Sequence, residues 1–394
     1  MTIATMRLID RYAGVPLCLL AGLFRRFPQR LDRAPKSVLI IKFFGLGSVL
    51  LTAPALDALK KKFPSARIVY MSFSRNAQLL AELSAIDERW IIETRSIFTF
   101  LQSFAAIVWR LVRTRIDVVI DFEFFSKFST LVGAFARPQM QIGFSLPTRW
   151  RRWNLSHPVI LQNNLHVTKS MFTMLAHLGI GDLPFPSPRF RLRPSPNVIS
   201  LPPQVRASNS DIICVNPNAG ETSLERRWDR HRFVEMLRLL ISEYPETQFC
   251  LIGSRLERSY VQFIVDKINS GNQLVVNLAG RTSVRSLIEL FSKSRILITN
   301  DSGPMHLAAA VGLPTIALFG PESPDFYGPL GNHSVNLYAR TECSPCLNIY
   351  DAKVFRCPFD AKCMKEITVQ RVVREVRGLL QPARTLGIVE GVHL

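Results

Sequence analysis

A turn of four polar and small residues follows a hydrophobic stretch at residues 296–300 and has the composition of an anion site. Asp301 or Ser302 would cap the helix that the following residues predict, and Gly303 would let a ligand approach the backbone. The unpaired N–H groups at the start of a helix carry the positive end of its dipole and suit a diphosphate. His306, about one turn along, could reach the same ligand. Spacing alone also fits a helix cap without a ligand.

A second strand–turn–helix pattern runs from Lys42 to Leu56, with Gly45 and Gly47 in its turn. A short β-branched run precedes the turn, and residues with helical spacing follow it. Such an arrangement commonly holds an anionic group, although this turn ends in Ser48, a residue with no charge. We therefore assign Gly45 and Gly47 to the binding of an anionic substrate group.

Four of the seven cysteines are close together in the sequence, and their spacing is compatible with a tetrahedral zinc site. The four are Cys343, Cys346, Cys357 and Cys363. Disulfides or free thiols are the alternatives, and a metal here would be structural. The other three cysteines lie in apolar surroundings and are interpreted as core.

The formal charge of +19, from 49 basic and 30 acidic residues, favours anionic partners such as phospholipid headgroups or phosphorylated glycans. No nucleic-acid-binding motif is present, so we predict no nucleic-acid partner. Residues 147–159 join three arginines, Arg149, Arg151 and Arg152, with two tryptophans, a composition that suits an acidic saccharide on a membrane lipid. A stacked surface loop is the alternative.

The N-terminal segment 1–35 contains an uncharged stretch, residues 12–24, that is too short to span a bilayer as a helix. Arginines precede and follow it, and no small-residue cleavage site is evident, which disfavours a secretory signal. The pattern suits a monotopic anchor in the headgroup region or, equally, a packed helix. Residues 97–113 are a second such stretch, for which a packed helix is favoured.

Strand and helix patterns alternate along the chain, which predicts an α/β fold with parallel sheets. The alternation runs to a helix that ends at Gly179, is interrupted by a proline-rich stretch at 182–208, and then restarts. We therefore predict two doubly wound, Rossmann-like domains at 36–195 and 196–380, the second with the cysteine-rich loop 343–363, and a tail at 381–394. The carboxyl ends of the strands of both domains should face a common cleft.

Four segments, which follow one another along the chain in the same order as in the family, resemble glycosyltransferase family 9, the bacterial ADP-heptose:lipopolysaccharide heptosyltransferases. They are "IIKFFGLGSVLLTAPALDALKKKFPSARI", "VNPNAGETSLERRWDRHRFVEML", "LAGRTSVRSLIELFSKSRILI" and "NDSGPMHLAAAVGLPTIALFGPESP". The resemblance implies the GT-B fold, in which two Rossmann-like domains face each other. It further implies an inverting sugar transfer that needs no metal, with the nucleotide-sugar donor in the second domain and the acceptor in the first.

The resemblance also implies roles for individual residues of the second domain. Thr222 and Ser223 match positions that contact the donor's phosphates, and Arg226 stands where the family often has a lysine that neutralises the leaving diphosphate. Glu257 matches the position that binds the nucleoside ribose. The donor loop corresponds to Asp301, Ser302, Gly303 and His306, with Asp301 near sugar hydroxyls.

The chain departs from the family at Ser48, where the family commonly has the aspartate expected to be the catalytic base. A serine without an adjacent base has too high a pKa to take a proton at neutral pH. Glu123 is our candidate for the base, with Asp121 at the end of the same predicted strand as a second carboxylate. Alternatively, the acceptor supplies its own base, or the chain binds without catalysis.

Taken together, the resemblance implies transfer of a heptose-like sugar from an ADP-sugar to a lipopolysaccharide core or related glycan. The expected place is the cytoplasmic face of a bacterial inner membrane, with the enzyme peripheral or monotopic. We predict no cofactor for catalysis, and zinc only in the structural site above. A nucleotide-sugar epimerase of the same fold and a catalytically inactive binding protein are the alternatives.

Overall fold

The structure is a computed structural model. It describes residues 10, 12, 14–23, 31, 33–124, 126–145, 151–162, 164–181, 201–205, 211–220, 223–268, 274–331, 333–347 and 357–381. Two six-stranded sheets, each made only of parallel pairs, organise these residues. The alternation seen in the sequence therefore corresponds to two successive α/β layers.

The first sheet has the strand order β3-β2-β1-β4-β5-β6. Its strands are β1 (Ser37–Ile41), β2 (Arg67–Phe73), β3 (Glu88–Ile92), β4 (Val118–Asp121), β5 (Met140–Ser145) and β6 (His157–Ile160). The central strands are apolar and buried on both faces, as expected for a parallel sheet covered by helices. The glycine turn after β1 and the carboxylates after β4 lie side by side, because these two strands pair directly.

Helices cover both faces of this sheet. They are α1 (Gly14–Leu23), α2 (Leu46–Leu50), α3 (Ala53–Lys62), α4 (Ala77–Glu82), α5 (Ile97–Arg113), α6 (Lys127–Phe135) and α7 (Val167–Thr173). The buried side chains of α3, α4 and α7 share one hydrophobic core with one face of the sheet. Those of α5 and α6 share a separate core with the opposite face.

The second sheet has the order β12-β11-β10-β7-β8-β9. Its strands are β7 (Ile212–Asn216), β8 (Gln248–Leu251), β9 (Val275–Asn277), β10 (Ile296–Asn300), β11 (Thr315–Phe319) and β12 (Ser334–Tyr338). Its helices are α8 (Arg230–Glu243), α9 (Arg258–Ile268), α10 (Val284–Ser292), α11 (Gly303–Val311), α12 (Pro324–Tyr327), α13 (Lys362–Lys365) and α14 (Val369–Leu380). The segments after β7 and β10 meet at one edge of the sheet, because those strands pair.

Side chains of both halves join in one hydrophobic core, which runs from the first sheet to α10 and α11 of the second half. Polar contacts cross at two further places. Arg285 forms an ion pair with Glu82 at 2.6 Å, and the ring of His166 lies 2.9 Å from the carbonyl oxygen of Gly328. The two halves are therefore packed against each other.

The described part of the N-terminal segment is packed on the first half. Cys18 of α1 is buried, and its carbonyl oxygen accepts a hydrogen bond from Asn154. The carboxylate of Asp10 accepts hydrogen bonds from the backbone N–H groups of Lys127 and Phe128 at the start of α6. On the side that faces α6, α1 is thus a packed helix, which is one of the two interpretations of residues 12–24. Within the described ranges, no helix is both long and apolar enough to cross a membrane.

Two strands were absent from the sequence prediction, β6 and β12, and each lies at an edge of its sheet. Pro158 in β6 lacks an N–H group, which an edge strand tolerates. Strand β12 is short and only partly buried, so its residues carry little hydrophobic signal. The boundary expected at 195/196 and the tail from 382 onward lie outside the described residues.

Candidate active site

The turn after β10 is held in place by amide and hydroxyl side chains from neighbouring strands. The amide of Asn216, at the end of β7, donates to the hydroxyl oxygen of Ser302 at 2.7 Å and to that of Thr299 at 3.0 Å. The backbone N–H of Trp228 donates to the side chain of Asn300 at 3.1 Å. The start of α11, with Gly303 as its first residue, is thereby fixed at the carboxyl edge of the second sheet.

Arg226 and Asp301 form a nearly buried ion pair beside this helix start. Nη1 of Arg226 lies 3.1 Å from both the carboxylate and the carbonyl oxygen of Asp301, and Nη2 donates to the carbonyl of Ala219 at 2.6 Å. Arg226 ends a short 3₁₀ turn, and Trp228, fully buried two residues later, anchors that turn. A guanidinium and the positive end of a helix therefore lie together, where a diphosphate would be stabilised by both.

Glu257 lies in the loop after β8. Its Oε2 accepts from the N–H of Ser254 at 2.8 Å, and its Oε1 lies 3.4 Å from Arg227. Arg227 in turn stacks on the ring of Tyr260 at 4.6 Å. Glu257 is therefore oriented by its neighbours. The hydroxyl of Ser223 donates to Glu225 at 2.9 Å, and Thr222 lies outside the described residues.

Glu123, just after β4, binds the start of the glycine turn of the first half. Its Oε1 accepts from the N–H groups of Phe43 and Phe44 at 2.6 and 3.0 Å and lies 3.0 Å from Nζ of Lys42. Both charged side chains of this pair are almost fully buried. These three contacts are all made by one carboxylate oxygen, and the side chain fixes the loop that carries Gly45 and Gly47.

Asp121 has different surroundings, and they assign it a structural role. Its carboxylate is fully buried, 2.5 Å from Nη2 of Arg151, and accepts from the hydroxyls of Ser129 and Thr130 at 2.7 and 3.1 Å. Burial raises the pKa of Asp121, while Arg151 and Ser129 oppose that rise. With its oxygens enclosed by these donors, Asp121 has no access to a substrate proton.

The side chain of Arg151 is also buried, whereas the sequence pattern predicts that it binds an acidic acceptor at the surface. Besides Asp121, it donates to the hydroxyl of Thr130 and to the carbonyl of Glu123. Its guanidinium supplies the hydrogen bonds that the hydroxyl of Thr130 and the carbonyl of Glu123, both buried, would otherwise need from water. Arg152 is exposed and stays a candidate for binding an acidic acceptor, and Arg149 lies outside the described residues.

The two halves meet directly at their glycines. A β-carbon at Gly47 would lie 2.7 Å from Cδ2 of His306 and 3.2 Å from Cα of Gly303. A β-carbon at Gly303 would lie 3.2 Å from Leu46 of the first half. The expected anion turn of the first half is therefore brought onto the expected donor helix of the second. Ser48, one residue beyond this contact, is partly exposed in the first turn of α2.

Tyr327 and Glu322 also line this region, and sequence reasoning missed both. Tyr327 is buried at the end of α12, and burial together with the charges of Glu322, Asp301 and Glu123 raises the pKa of its hydroxyl. The charges of Glu123 in the first half and of Asp301 in the second thus both act on this one hydroxyl. Nothing in the pattern of the sequence around Glu322, "FGPESP", marks this residue.

The zinc site expected at the four cysteines is not formed. Within the ranges that the structure describes, no group of three or more histidine, cysteine or acidic side chains is arranged to hold a metal ion. Cys363 is instead buried beside Gly320 and Met364, and the sulfur of Cys357 accepts from the N–H of Ala361. Burial, followed by the charge of Cys346, raises the pKa of the Cys363 thiol to about 11.

Comparison with known proteins agrees with this fold. The sequence profile of glycosyltransferase family 9 (heptosyltransferase) matches residues 105–353. Lipooligosaccharide heptosyltransferase 2 of Campylobacter jejuni serotype O:2 is 27% identical over 341 residues, which cover 85% of this chain and 96% of that protein. Lipopolysaccharide heptosyltransferase 2 of Escherichia coli K12 is 31% identical over 180 residues, 44% of this chain and 48% of that protein.

Solved structures show the same architecture. The Escherichia coli ADP-heptose lipopolysaccharide heptosyltransferase II superposes with a TM-score of 0.69 at 23% identity, covering 87% of this chain and 98% of that one. A family 9 glycosyltransferase from Veillonella parvula gives a TM-score of 0.70 at 20% identity, covering 89% and 99%. The two sheets and the cleft between them therefore have the GT-B fold.

The particular family follows from the profile match, which spans more than half of the chain. The chain belongs to glycosyltransferase family 9, the heptosyltransferases.

Proposed function

We propose that the chain transfers a heptose-like sugar, with inversion, from an ADP-sugar to a lipopolysaccharide core or a related glycan. The observation that carries the proposal is the ion pair of Arg226 and Asp301 at the start of α11, facing the glycine turn of the first half. Relatives named as lipopolysaccharide and lipooligosaccharide heptosyltransferases support the choice of sugar and acceptor.

In this proposal, the donor's diphosphate lies between Arg226 and the N–H groups at the start of α11, which neutralise the charge that develops on the leaving group. Ser223 and Thr222 add hydroxyl contacts to the phosphates. Glu257 accepts from the ribose hydroxyls, and Asp301 orients the transferred sugar. Because Arg226 supplies a permanent charge at the leaving group, we propose that the transfer step needs no cofactor.

The acceptor binds on the first half in this proposal, along Gly45 and Gly47, with Arg149 and Arg152 toward its anionic groups. Glu123 acts as the base that removes the proton of the attacking hydroxyl, since Ser48 cannot. Its contact with the loop that carries the glycine turn supports this role, because that turn meets the start of α11 and a base has to reach the cleft between donor and acceptor. We place the enzyme at the cytoplasmic face of a bacterial inner membrane, where such an acceptor would be assembled.

Purified enzyme, incubated with ADP-heptose and a heptose-deficient lipopolysaccharide core, tests the proposal by mass spectrometry of the glycolipid. We expect an added heptose, and a loss of turnover in Asp301→Ala. Asp325→Ala is the matched control, because the carboxylate of Asp325 belongs to the same half but is largely exposed. Unchanged turnover in Asp301→Ala would remove the donor-site assignment.

Incubation with the donor alone separates the proposal from the two alternatives. A transferase leaves the ADP-sugar intact or hydrolyses it slowly, whereas an epimerase converts its sugar. Donor binding without turnover on a broad panel of acceptors would indicate a binding protein. Mass spectrometry of surface glycolipid from a deletion strain would then identify which sugar is missing.

A further inference from the structure

We propose that the solvent-facing side of α5 docks on the surface of a bilayer that contains anionic phospholipid. This inference goes beyond the proposed function, because it concerns a surface that contacts neither the donor loop nor the glycine turn and needs no sugar to operate. It rests on the exposure, spacing and charge of the residues of one helix.

A stripe of exposed apolar side chains runs along the whole length of α5. Phe98 is 73% exposed, Leu101 57%, Trp109 58% and Val112 59%, and Ala105 between them is also exposed. These residues recur at intervals of three or four, the spacing that places side chains on one side of a helix. Single exposed apolar residues are ordinary, but a continuous stripe with two aromatic rings indicates a contact surface.

The stripe is not an unfinished part of the core, because α5 buries a different side. Ile107 and Leu111 are buried against the first sheet, and the rings of Phe100 and Phe104 lie 6.2 and 5.4 Å from that of Phe128 of α6. The helix is therefore held firmly in the fold. Its outer stripe is available as a preformed, rigid surface.

Charge selects the kind of partner. Helix α5 contains no acidic residue, and Arg110 and Arg113 in its last turn are exposed. The guanidinium of Arg113 stacks on the ring of Trp109 at 4.4 Å, so an aromatic ring and a positive charge are presented together. Aromatic rings at headgroup level beside basic side chains are the arrangement that a membrane interface favours.

A second copy of the chain fits this surface less well than lipid does. Symmetric pairing of two α5 stripes would leave four arginines, two from each copy, in an interface to which neither helix contributes an acidic residue to neutralise them. An anionic headgroup layer neutralises the same arginines while its acyl region accepts the apolar side chains. We therefore commit to anionic lipid as the occupant.

Neighbouring helices extend the apolar surface. Leu17 and Leu20 of α1 and Phe135 of α6 are exposed. Both α1 and α5 pack on α6, so these side chains lie on the same side of the first sheet as the α5 stripe. Residues 12–24 and 97–113 were expected to form either membrane-facing or packed helices. In this proposal both descriptions hold, because each helix packs on the fold with one side and faces the membrane with the other.

Sedimentation with vesicles tests the proposal on the full chain, without donor or acceptor. We expect binding to phosphatidylcholine vesicles that contain about a third phosphatidylglycerol, weaker binding to phosphatidylcholine alone, and weakening by salt. Leu101→Glu and Trp109→Glu should each lower the partition coefficient at least about tenfold, since each places a charge where an apolar group enters the interface. Leu239→Glu is the matched control, because Leu239 is an exposed leucine on α8 of the second half.

Loss of charge gives an independent readout. Arg110→Gln combined with Arg113→Gln should lower binding to the anionic vesicles by about 25-fold, about fivefold for each arginine, with little effect on binding to phosphatidylcholine. Vesicle binding that is unchanged in Leu101→Glu and in the arginine pair would overturn the proposal. So would a dimer in light scattering that Leu101→Glu dissociates, because a second copy would then be the occupant.

The same variants separate this inference from the proposed function. Sugar transfer to a deacylated, water-soluble core acceptor should be unchanged in Leu101→Glu, because α5 is remote from the donor loop. Normal vesicle binding without sugar transfer would remove the proposed function and leave the surface intact. Normal transfer without vesicle binding would do the reverse.

Discussion

Glu123 shows how one carboxylate can hold a loop and still be a candidate for chemistry. Its Oε1 receives two backbone N–H groups and the ammonium of Lys42, so removal of the whole side chain would disturb the glycine turn as well as any proton transfer. The informative substitution therefore keeps the acceptor oxygen and removes only the charge.

Glu123→Gln should lose about 10²-fold or more in turnover, the usual scale for an acid–base residue, because an amide cannot take up a proton at neutral pH. The amide oxygen can still accept from Phe43 and Phe44, so ADP affinity should stay as in the unmodified enzyme. Steady-state kinetics and calorimetry with ADP measure the two effects. Glu88→Gln, at a half-exposed glutamate of β3, is the control. Full turnover in Glu123→Gln would exclude this residue as the base.

At the level of single residues, the sequence predicted which side chains surround the donor turn better than it predicted their partners. Asp301 and Arg226 were both assigned to the donor site, and their direct ion pair shows that the two side chains lie next to each other. The burial of Arg151 against Asp121 had no local signal, because thirty positions separate the two residues and only the fold brings them together. Ser48 stays a departure whose consequence the sequence could not decide.

Among the elements, α2 and α11 depend on glycine where they meet. The 2.7 Å separation between a β-carbon at Gly47 and the ring of His306 is shorter than real contacts allow, and the backbone at Gly303 lies just behind. His306 is itself nearly buried, so its ring has little room to move.

Gly47→Ala should therefore hold the two halves apart and lower turnover by about tenfold or more, since overpacking costs about 1–3 kcal/mol. Small-angle scattering should show a larger radius of gyration, while ADP affinity should change less than turnover. The matched control is Gly378→Ala, because a β-carbon at Gly378 would meet nothing within 4 Å. An unchanged radius with unchanged turnover would show that the contact can relax.

Helix α7 gives a prediction about pH. His166 caps it by accepting from the N–H of Thr168 on Nδ1, so the hydrogen is on Nε2 and is donated to the carbonyl of Gly328. Burial lowers the pKa of His166, and the bond to Gly328 only partly offsets this. Protonation of Nδ1 would also remove the cap.

Because the unfolded chain takes up this proton first, below about pH 6.5, stability should fall as the pH drops from there toward the lower pKa of the folded state. His166→Asn keeps a capping side chain and removes the titrating group, so the difference in melting temperature between about pH 8 and pH 5.5 should shrink. Equal pH dependence in both proteins would show that His166 does not contribute.

The strands show where sequence patterns stop being informative. The strands expected from the alternating pattern are present as parallel strands, and the central ones, such as β1 and β10, are buried β-branched runs. The edge strands β6 and β12 face solvent in part, so their apolar content falls to the level of a loop. Their pairing is decided by the sheet that they join and not by their own residues.

For the whole molecule, the shared core predicts cooperative unfolding. One continuous set of buried side chains includes β1 and α3 of the first half and α10 and α11 of the second. Neither half can expose its side of this core without destabilising the other.

Calorimetry of the free enzyme should therefore show one transition. ADP at about 100 times its dissociation constant should raise the free energy of unfolding by about 2.7 kcal/mol and move that single transition upward. Asp301→Ala should remove most of this shift. Two separate transitions, of which ADP moves only one, would contradict a common core.

The sequence could predict two α/β units and a cleft, but not how closely they approach. Glycines at 47 and 303 were each attributed to ligand binding, and the structure shows that each also leaves space for the opposite half. The distance between the two halves depends on the volumes of side chains that are far apart in the sequence. A single sequence has no periodic pattern that reports which of these side chains will meet.

The carboxylate of Asp10 bonds to a helix start 117 and 118 positions further along the chain. During synthesis on the ribosome, the beginning of the protein therefore emerges long before its partner exists. The apolar residues of α1 must stay unaggregated over that interval, because the helix on which they pack is made only after four strands of the first sheet. Packing of α1 on α6 is thus a late event, although the residues of α1 are made well before those of α6.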